Sequence, residues 1–239
     1  NKMSNIIENN MEEFKADEVG ESSVVSMYSA FVMIIAPNSV AQNLATTSSI
    51  ACAKAINNDR TRPEYQEISN VFAVPLAQTY REAASSIVKS LTAPIVDADG
   101  WTTNAPPSKI KNLSRLIPGY NLVRHARNMG NFDGIRETHS SLVGVESKKH
   151  KSKFPIPNLT VFGGSNKGKE NIDDVESPDV CARRECFEES KIVFSDVLFS
   201  EEFQMSLRET LGVPTLPHNV TLPPNANSTV GSSFYTIIL

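Results

Sequence analysis

The segment from Glu176 to Ile192 constrains the fold of this chain most strongly, because it carries the signals of one well-bounded helix. Ser177 is a good N-cap residue, and Pro178 suits the first helical position. Asp179 then lies in the first turn, where the helix dipole favours a carboxylate. The sequence therefore predicts a helix over 177–191.

Three glutamates share one face of this predicted helix, because Glu185, Glu188 and Glu189 are spaced i, i+3 and i+4. Carboxylates placed so closely repel one another and attract a divalent cation, and hard oxygen ligands select Mg²⁺, Mn²⁺ or Ca²⁺ over zinc. Arg184 lies four residues before Glu188 and can brace its carboxylate. Taken alone, such a charge cluster is more typical of a solvated helix face, so its interpretation depends on the wider pattern.

The wider pattern resembles the Nudix box. In that signature a Gly, five residues, a Glu and seven residues precede Arg-Glu-apolar-x-Glu-Glu-x-Gly-apolar. Here seven residues separate Glu176 from Arg184, and the three glutamates match their positions. Upstream, the stretch from Leu159 to Gly164 resembles the strand and the Gly-Gly pair that lead into the box. The chain is thus similar to the Nudix superfamily over residues 159–193.

Two positions depart from that signature. Eleven residues, 165–175, separate Gly164 from Glu176 where the box has five, which implies a loop insertion of six residues. Lys191 stands where the box has the Gly that leaves the helix in a left-handed conformation. We expect Lys191 to cost stability without removing the acidic side chains.

The resemblance implies a metal-dependent pyrophosphohydrolase that acts on nucleoside diphosphate-linked substrates, with Mg²⁺ or Mn²⁺ as its cofactor. By that likeness Glu185, Glu188 and Glu189 would bind the metal, and Glu188 and Glu189 would be the catalytic residues. The metal would polarise the pyrophosphate and lower the pKa of an attacking water. The implied supporting residues are Arg184 and Glu176, which would form a salt bridge, and Gly164.

Basic residues lie close to this segment in the sequence. One run falls between the predicted strands 141–145 and 159–162, and two further lysines fall in the predicted insertion. Such charge suits contact with phosphate or an RNA backbone, and it suits a solvated hairpin loop equally well. The candidate phosphate-binding residues are Lys148, Lys149, Lys151, Lys167 and Lys169. The partner to test is therefore a nucleotide-type small molecule or an RNA 5′ end.

The first part of the chain, residues 1–92, predicts a helical region. We expect one helix from Ser22 to Ala36 and a second from Asn38 through Ala55, each with a capping residue at its start. A third helix is expected over 76–91, where apolar residues recur every three or four positions. Nothing in these helices indicates chemistry.

The remainder predicts an α+β protein. The Pro- and Gly-containing stretch within 93–133 reads as a linker with a short helical segment. Residues 134–239 are expected to form a Nudix-like α/β/α sandwich domain, with further strands over 192–199 and 234–239. Because 47 residues follow Ile192 (239 − 192), we expect this domain to be incomplete at its C-terminus.

Charge and hydropathy exclude several other classes. A net charge of −4 argues against a general nucleic-acid coat. The most apolar stretch, residues 24–36, is too short for a bilayer, which needs about 20 residues. Three cysteines do not make a disulfide framework. We expect a protein of the cytoplasm or of a virion that is neither secreted nor in a membrane.

Two functions from different classes stay open, and the sequence favours the enzyme. The alternative is a structural component of a large assembly such as a viral capsid, with a degenerate Nudix-like module that has no catalysis. This alternative implies a homo-oligomer or a larger protein assembly. A third interpretation, a nucleotide sensor, would bind substrate without turnover. An enzyme needs its three glutamates around a metal, whereas a degenerate module would show them paired with Lys or Arg.

Overall fold

The computed structural model describes residues 28–58, 68–79, 82–83, 85–87, 95–96, 102–103, 130–146, 158–165, 176–222 and 231–239. The strands are β1 (Ser29–Pro37), β2 (Ile68–Pro75), β3 (Ile95–Val96), β4 (Thr102–Thr103), β5 (His139–Glu146), β6 (Asn158–Thr160), β7 (Phe162–Ser165), β8 (Asn219–Leu222) and β9 (Ser232–Ile238). The helices are α1 (Asn38–Asn58), α2 (Pro178–Ser190), α3 (Asp196–Phe199) and α4 (Glu201–Thr210).

Seven of these strands form one mixed sheet in the order β2-β5-β1-β9-β8, with β6 also paired to β5 and β7 to β1. Strand β1 runs parallel to β9 and antiparallel to β5 and β7. Strands β3 and β4 form a two-stranded antiparallel sheet. The chain is therefore an α+β protein with a mixed sheet, which confirms the predicted class at that level.

The sheet is covered on both faces. Alternate side chains of a strand point to opposite faces, and β1 contributes Val32 and Ile34 to one apolar cluster but Met33 and Ile35 to the other. The cluster of Val32 and Ile34 also contains buried residues of α1 and α2, so these two helices share a face. The other cluster takes residues from 83–87, 132–135 and 213–216. Helix α2 is thus placed beside α1.

The prediction of a helix that ends at Ala36 is wrong, because Ser29–Pro37 forms β1 in the middle of the sheet. Residues 32–36 are all fully buried. A strand buried on both faces carries a continuous apolar run and lacks the alternation of a half-buried strand. The region 1–92, predicted to be helical, therefore contains the strands β1 and β2 as well as helix α1.

The other predicted helices have mixed outcomes. Helix α1 begins at Asn38 and confirms the second predicted helix. Of the third, predicted over 76–91, residues 82–83 and 85–87 are helical, whereas 76–79 form a turn. Among the described residues, no helix is both long enough and apolar enough to cross a bilayer.

In the C-terminal part, β5 and β9 confirm two predicted strands, and the strand predicted over 159–162 is present as β6 and β7. The strand predicted over 192–199 is wrong: residues 191–195 have no regular structure and Asp196–Phe199 is α3. The prediction fails for a local reason. Ser195 is the N-cap residue of α3, and Asp196 lies in its first turn, where a carboxylate is favoured. Neither α4 nor β8 is predicted from the sequence.

Candidate functional site

Helix α2 begins and ends where the sequence predicts. Ser177 lies at the N-cap in extended conformation, but its hydroxyl bonds the Asp179 carboxylate at 2.6 Å and makes no capping bond to the backbone. Lys191 follows the helix with φ 59° and ψ 15°, which is left-handed. The position where Lys replaces the expected Gly therefore does have the conformation that favours Gly.

The buried side of α2 packs on the sheet through Cys181, Ala182, Cys186 and Ser190, and its neighbours there are β1 and β7. Burial raises the pKa of the Cys186 thiol to about 12. Burial, followed by the nearby Glu176 carboxylate, raises the pKa of Cys181 to about 11. Both thiols therefore stay protonated at neutral pH, which argues against a thiolate nucleophile or a thiolate metal ligand here.

Arg184 forms a two-pronged pair with Glu176, the residue that precedes the helix by two positions. Its Nε donates to Glu176 Oε1 and its Nη2 to Glu176 Oε2, both at 2.9 Å. The two side chains are only 22% and 17% exposed. Hydrogen bonds to Glu176 hold the pKa of the guanidinium well above its ordinary value. The predicted salt bridge is therefore present as a fork-to-fork contact.

The same guanidinium reaches two of the three glutamates. Arg184 Nη1 donates to Glu185 Oε1 at 2.6 Å and to Glu188 Oε2 at 3.3 Å. Glu185 is 14% exposed and Glu188 is 44% exposed. The third, Glu189, accepts the backbone N–H of Gly163 at 2.7 Å through Oε2. Each predicted metal ligand thus has a partner within the protein.

The Gly-Gly pair of β7 makes room for this arrangement. A Cβ atom at Gly164 would overlap the carboxylate of Glu185, and one at Gly163 would overlap the carbonyl oxygen of Ala30 and the ring of Phe31. The absence of a Cβ at Gly164 therefore leaves room for the Glu185 side chain of α2, whereas its absence at Gly163 leaves room for β1. Gly164 is therefore in contact with the predicted site, as expected, and Gly163 adds the N–H donor for Glu189 that the sequence does not reveal.

Among the described residues, the carboxylates at this site outnumber the guanidinium groups that they contact. One guanidinium, that of Arg184, faces the carboxylates of Glu176, Glu185 and Glu188, with Glu189 one residue further along α2. Hard oxygen donors of this kind fit a divalent cation such as Mg²⁺ or Mn²⁺. The donor chemistry therefore agrees with the predicted cofactor.

The glutamate side chains must change their orientation before their carboxylates could hold an ion together. Within the described part of the chain, no group of three or more His, Cys, Asp or Glu side chains is arranged to hold a metal. Glu185 and Glu188 converge on Arg184, whereas Glu189 reaches Gly163. Among the contacts of Arg184 with carboxylates, that with Glu188 is the longest, and Glu188 is the most exposed of the three glutamates.

The other predicted residues lie away from this network. Lys148, Lys149, Lys151, Lys167 and Lys169 lie outside the described residues. Glu201 and Glu202, the next acidic residues after α3, lie exposed in the first turn of α4. There they complement the helix dipole, and the preceding Ser200 accepts the N–H of Phe203.

Comparisons with protein-family models, with curated proteins and with solved structures gave no match to this chain. The fold and the site therefore define the class on their own. It is an α+β protein in which an acidic helix, organised by one arginine, lies against a Gly-Gly strand of a mixed sheet.

Proposed function

We propose that this protein is a Nudix-type hydrolase that cleaves the pyrophosphate bond of a nucleoside diphosphate-linked substrate, with Mg²⁺ or Mn²⁺ as cofactor. The observation that carries the proposal is the two-pronged pair between Arg184 and Glu176. A solvated helix face forms ion pairs three or four residues apart. This pair joins residues eight apart, one of them outside the helix, at the spacing that the Nudix signature requires.

Two further observations support a Nudix-like α/β/α sandwich for the fold. Apolar clusters cover both faces of the mixed sheet. Helix α2 also lies directly on the Gly163–Gly164 pair of β7, and it ends in a left-handed residue, Lys191. Both features belong to the signature by which the sequence resembles the superfamily.

The residues have distinct roles in this proposal. Glu185, Glu188 and Glu189 would hold the ion, once Glu188 turns from Arg184. Arg184 would keep Glu185 against β7, and the Gly163 N–H would orient Glu189. When bound, the ion supplies positive charge that polarises the pyrophosphate and lowers the pKa of an attacking water.

Glu188 and Glu189 are the proposed catalytic residues by the resemblance to the Nudix box; Glu188 is exposed and Glu189 is half-buried. A nucleotide-type small molecule or an RNA 5′ end is the proposed substrate, and the proposed location is the cytoplasm or a virion. The proposed phosphate contacts are Lys148, Lys149, Lys151, Lys167 and Lys169.

The test is nucleotide or phosphate release from capped RNA, ADP-ribose, diadenosine polyphosphates and nucleoside triphosphates with Mg²⁺ or Mn²⁺. We expect turnover that requires the metal and that the double variant Glu188→Gln/Glu189→Gln loses. Glu209→Gln is the matched control, because Glu209 is an exposed helical glutamate on α4. Absence of turnover on every substrate, with Mn²⁺ affinity unchanged in the double variant, would refute the enzyme.

One observation favours a second candidate, a structural component of a large assembly with a degenerate Nudix-like module. Glu185 and Glu188 are paired with Arg184, the arrangement expected of a module without catalysis. This candidate predicts that the intact protein sediments as a homo-oligomer or larger assembly. It also predicts that Glu188→Gln/Glu189→Gln changes neither that assembly nor any metal affinity.

A further inference from the structure

Two side chains of α1 bind the end of α2. The last carbonyl groups of a helix have no partner within it. Ser48 Oγ donates to the carbonyl oxygen of Ser190, the final residue of α2. Cys52 Sγ donates to the carbonyl oxygen of Glu189 at 3.3 Å. These two contacts, which we call the α1 clamp, join residues of the first helix to the helix that carries the acidic face.

The clamp is built from one face of α1. Ser48 and Cys52 are four residues apart, so they lie one above the other on the helix. Each is 2% exposed. Their side chains therefore meet the end of α2 in the protein interior, where an unsatisfied carbonyl oxygen is costly. The two hydrogen bonds of the α1 clamp are therefore part of the buried packing between α1 and α2.

Lys191 donates hydrogen bonds to the carbonyl groups of Phe187 and Glu188, the two residues that precede those bound by the α1 clamp. Its backbone N–H donates to Phe187 O at 2.8 Å, and its Nζ donates to Glu188 O at 2.5 Å. The final four carbonyl groups of α2, those of residues 187–190, therefore all accept a hydrogen bond: Phe187 O accepts the regular helical bond from Lys191 N–H, and the other three accept bonds from side chains. Half of these bonds come from α1.

The clamped turn carries two of the three proposed metal ligands. The terminal turn of a helix frays when its carbonyl groups lack partners, and fraying here would move Glu188 and Glu189 together. Glu189 is held at two points, since its carboxylate accepts the Gly163 N–H and its carbonyl oxygen accepts Cys52. Loss of either contact would free one end of the residue.

We propose that Ser48 and Cys52 are positioning residues for the acidic face of α2. They fix its last turn and so limit the movement of the backbone that carries Glu188 and Glu189. This inference rests on the proposed metal-dependent function. It gives α1, where the sequence indicates no chemistry, a part in the site through hydrogen bonds to the backbone of the ligand-bearing turn.

The experiment compares Ser48→Ala and Cys52→Ala in the full chain with two further variants. Cys52→Ser keeps a donor at the clamp. Ser49→Ala is the matched control, because Ser49 is the adjacent serine of α1 and its hydroxyl bonds the backbone of Val71 on β2 instead, at 2.9 and 3.1 Å. The readouts are Mn²⁺ affinity by electron paramagnetic resonance, amide hydrogen exchange at residues 191 and 192, and melting temperature.

Amides 191 and 192 report the clamped turn, because Lys191 N–H donates to Phe187 O and Ile192 N–H donates to Ser190 Oγ, and both bonds break when the helix end opens. We expect each alanine variant of the clamp to weaken Mn²⁺ binding about three- to tenfold, the worth of one hydrogen bond, and to speed this exchange. Cys52→Ser should retain most of the affinity. Ser49→Ala should lower the melting temperature similarly but leave Mn²⁺ affinity unchanged.

Equal loss of affinity in Ser48→Ala and Ser49→Ala, or unchanged affinity and exchange in both clamp variants, would overturn the inference. A wild-type chain that binds no Mn²⁺ would refute the proposed function itself. The exchange measurement would then still decide whether the α1 clamp holds the end of α2.

Discussion

The pair of Arg184 with Glu176 permits a quantitative test of how the acidic face is held. Arg184→Met keeps the length of the side chain but leaves the carboxylates of Glu176 and Glu185, 17% and 14% exposed, without their cation. Removing one partner of a fully buried pair costs about 3–5 kcal/mol. Because one-fifth of the arginine reaches solvent, we expect a loss of about 2–3 kcal/mol in the free energy of unfolding.

A double-mutant cycle with Glu176→Gln separates the pair from the rest of the network. Two charge-assisted hydrogen bonds at 2.9 Å link the partners, so we expect a coupling energy of about 1.5–3 kcal/mol. Urea denaturation of the four proteins, at one pH and one ionic strength, measures it. Arg184→Lys should recover little of the coupling, because an ammonium cannot donate from a planar fork.

Arg183 provides the matched control on the same helix. It pairs with Asp179 and Asp196, whose side chains are 48% and 88% exposed. Exposed ion pairs contribute about 0–1 kcal/mol, so Arg183→Met should cost far less than Arg184→Met. Equal losses for the two arginines, or a coupling below about 0.5 kcal/mol between Arg184 and Glu176, would refute the reasoning that this pair organises the site.

Three further predictions follow from single positions. Gly164→Ala should lower the free energy of unfolding by about 1–3 kcal/mol, since its Cβ would overlap the Glu185 carboxylate; thermal melting measures this loss. Lys191→Gly should leave the urea midpoint nearly unchanged, because relief of the left-handed cost of about 1–2 kcal/mol is offset by the added unfolded-chain entropy of Gly, about 0.4–1 kcal/mol, and by loss of the bond from Lys191 Nζ to Glu188 O, about 0.5–1.5 kcal/mol. Burial lowers the pKa of His139 and His218 below the ordinary 6.5. The unfolded chain then binds more protons, so stability should fall as the pH drops below 6.5, and His139→Gln should flatten that dependence.

Helix α2 could be predicted from the sequence because each of its signals is local. Pro178 and Asp179 mark its start, and the helix does begin at Pro178. The i, i+3, i+4 spacing puts the three glutamates on one face whatever the rest of the chain does. The partner of Glu189 could not be predicted in this way, because the Gly163 N–H belongs to a strand 26 residues earlier.

Strand β1 could not be predicted because its environment, and not its local pattern, decides its structure. A run such as 30–36 suits a buried helix and a buried strand equally well by periodicity. Its β-branched residues and its limited length lean towards a strand. Pro37 does not decide between the two, because it ends a strand as readily as a helix. The deciding fact is that it pairs with β9 on one side and with β5 and β7 on the other.

The wrong assignment of β1 also hid the role of α1. A separate helical N-terminal region would not be expected to contact the site. Because β1 pairs with β7, however, the helix that follows β1 packs on the same face of the sheet as α2. Helix α1 follows β1 without an intervening residue, so its position is set by the strand. Ser48 then meets Ser190 across 142 residues of sequence. No spacing pattern could indicate that contact, because it depends on two elements being placed independently on one sheet.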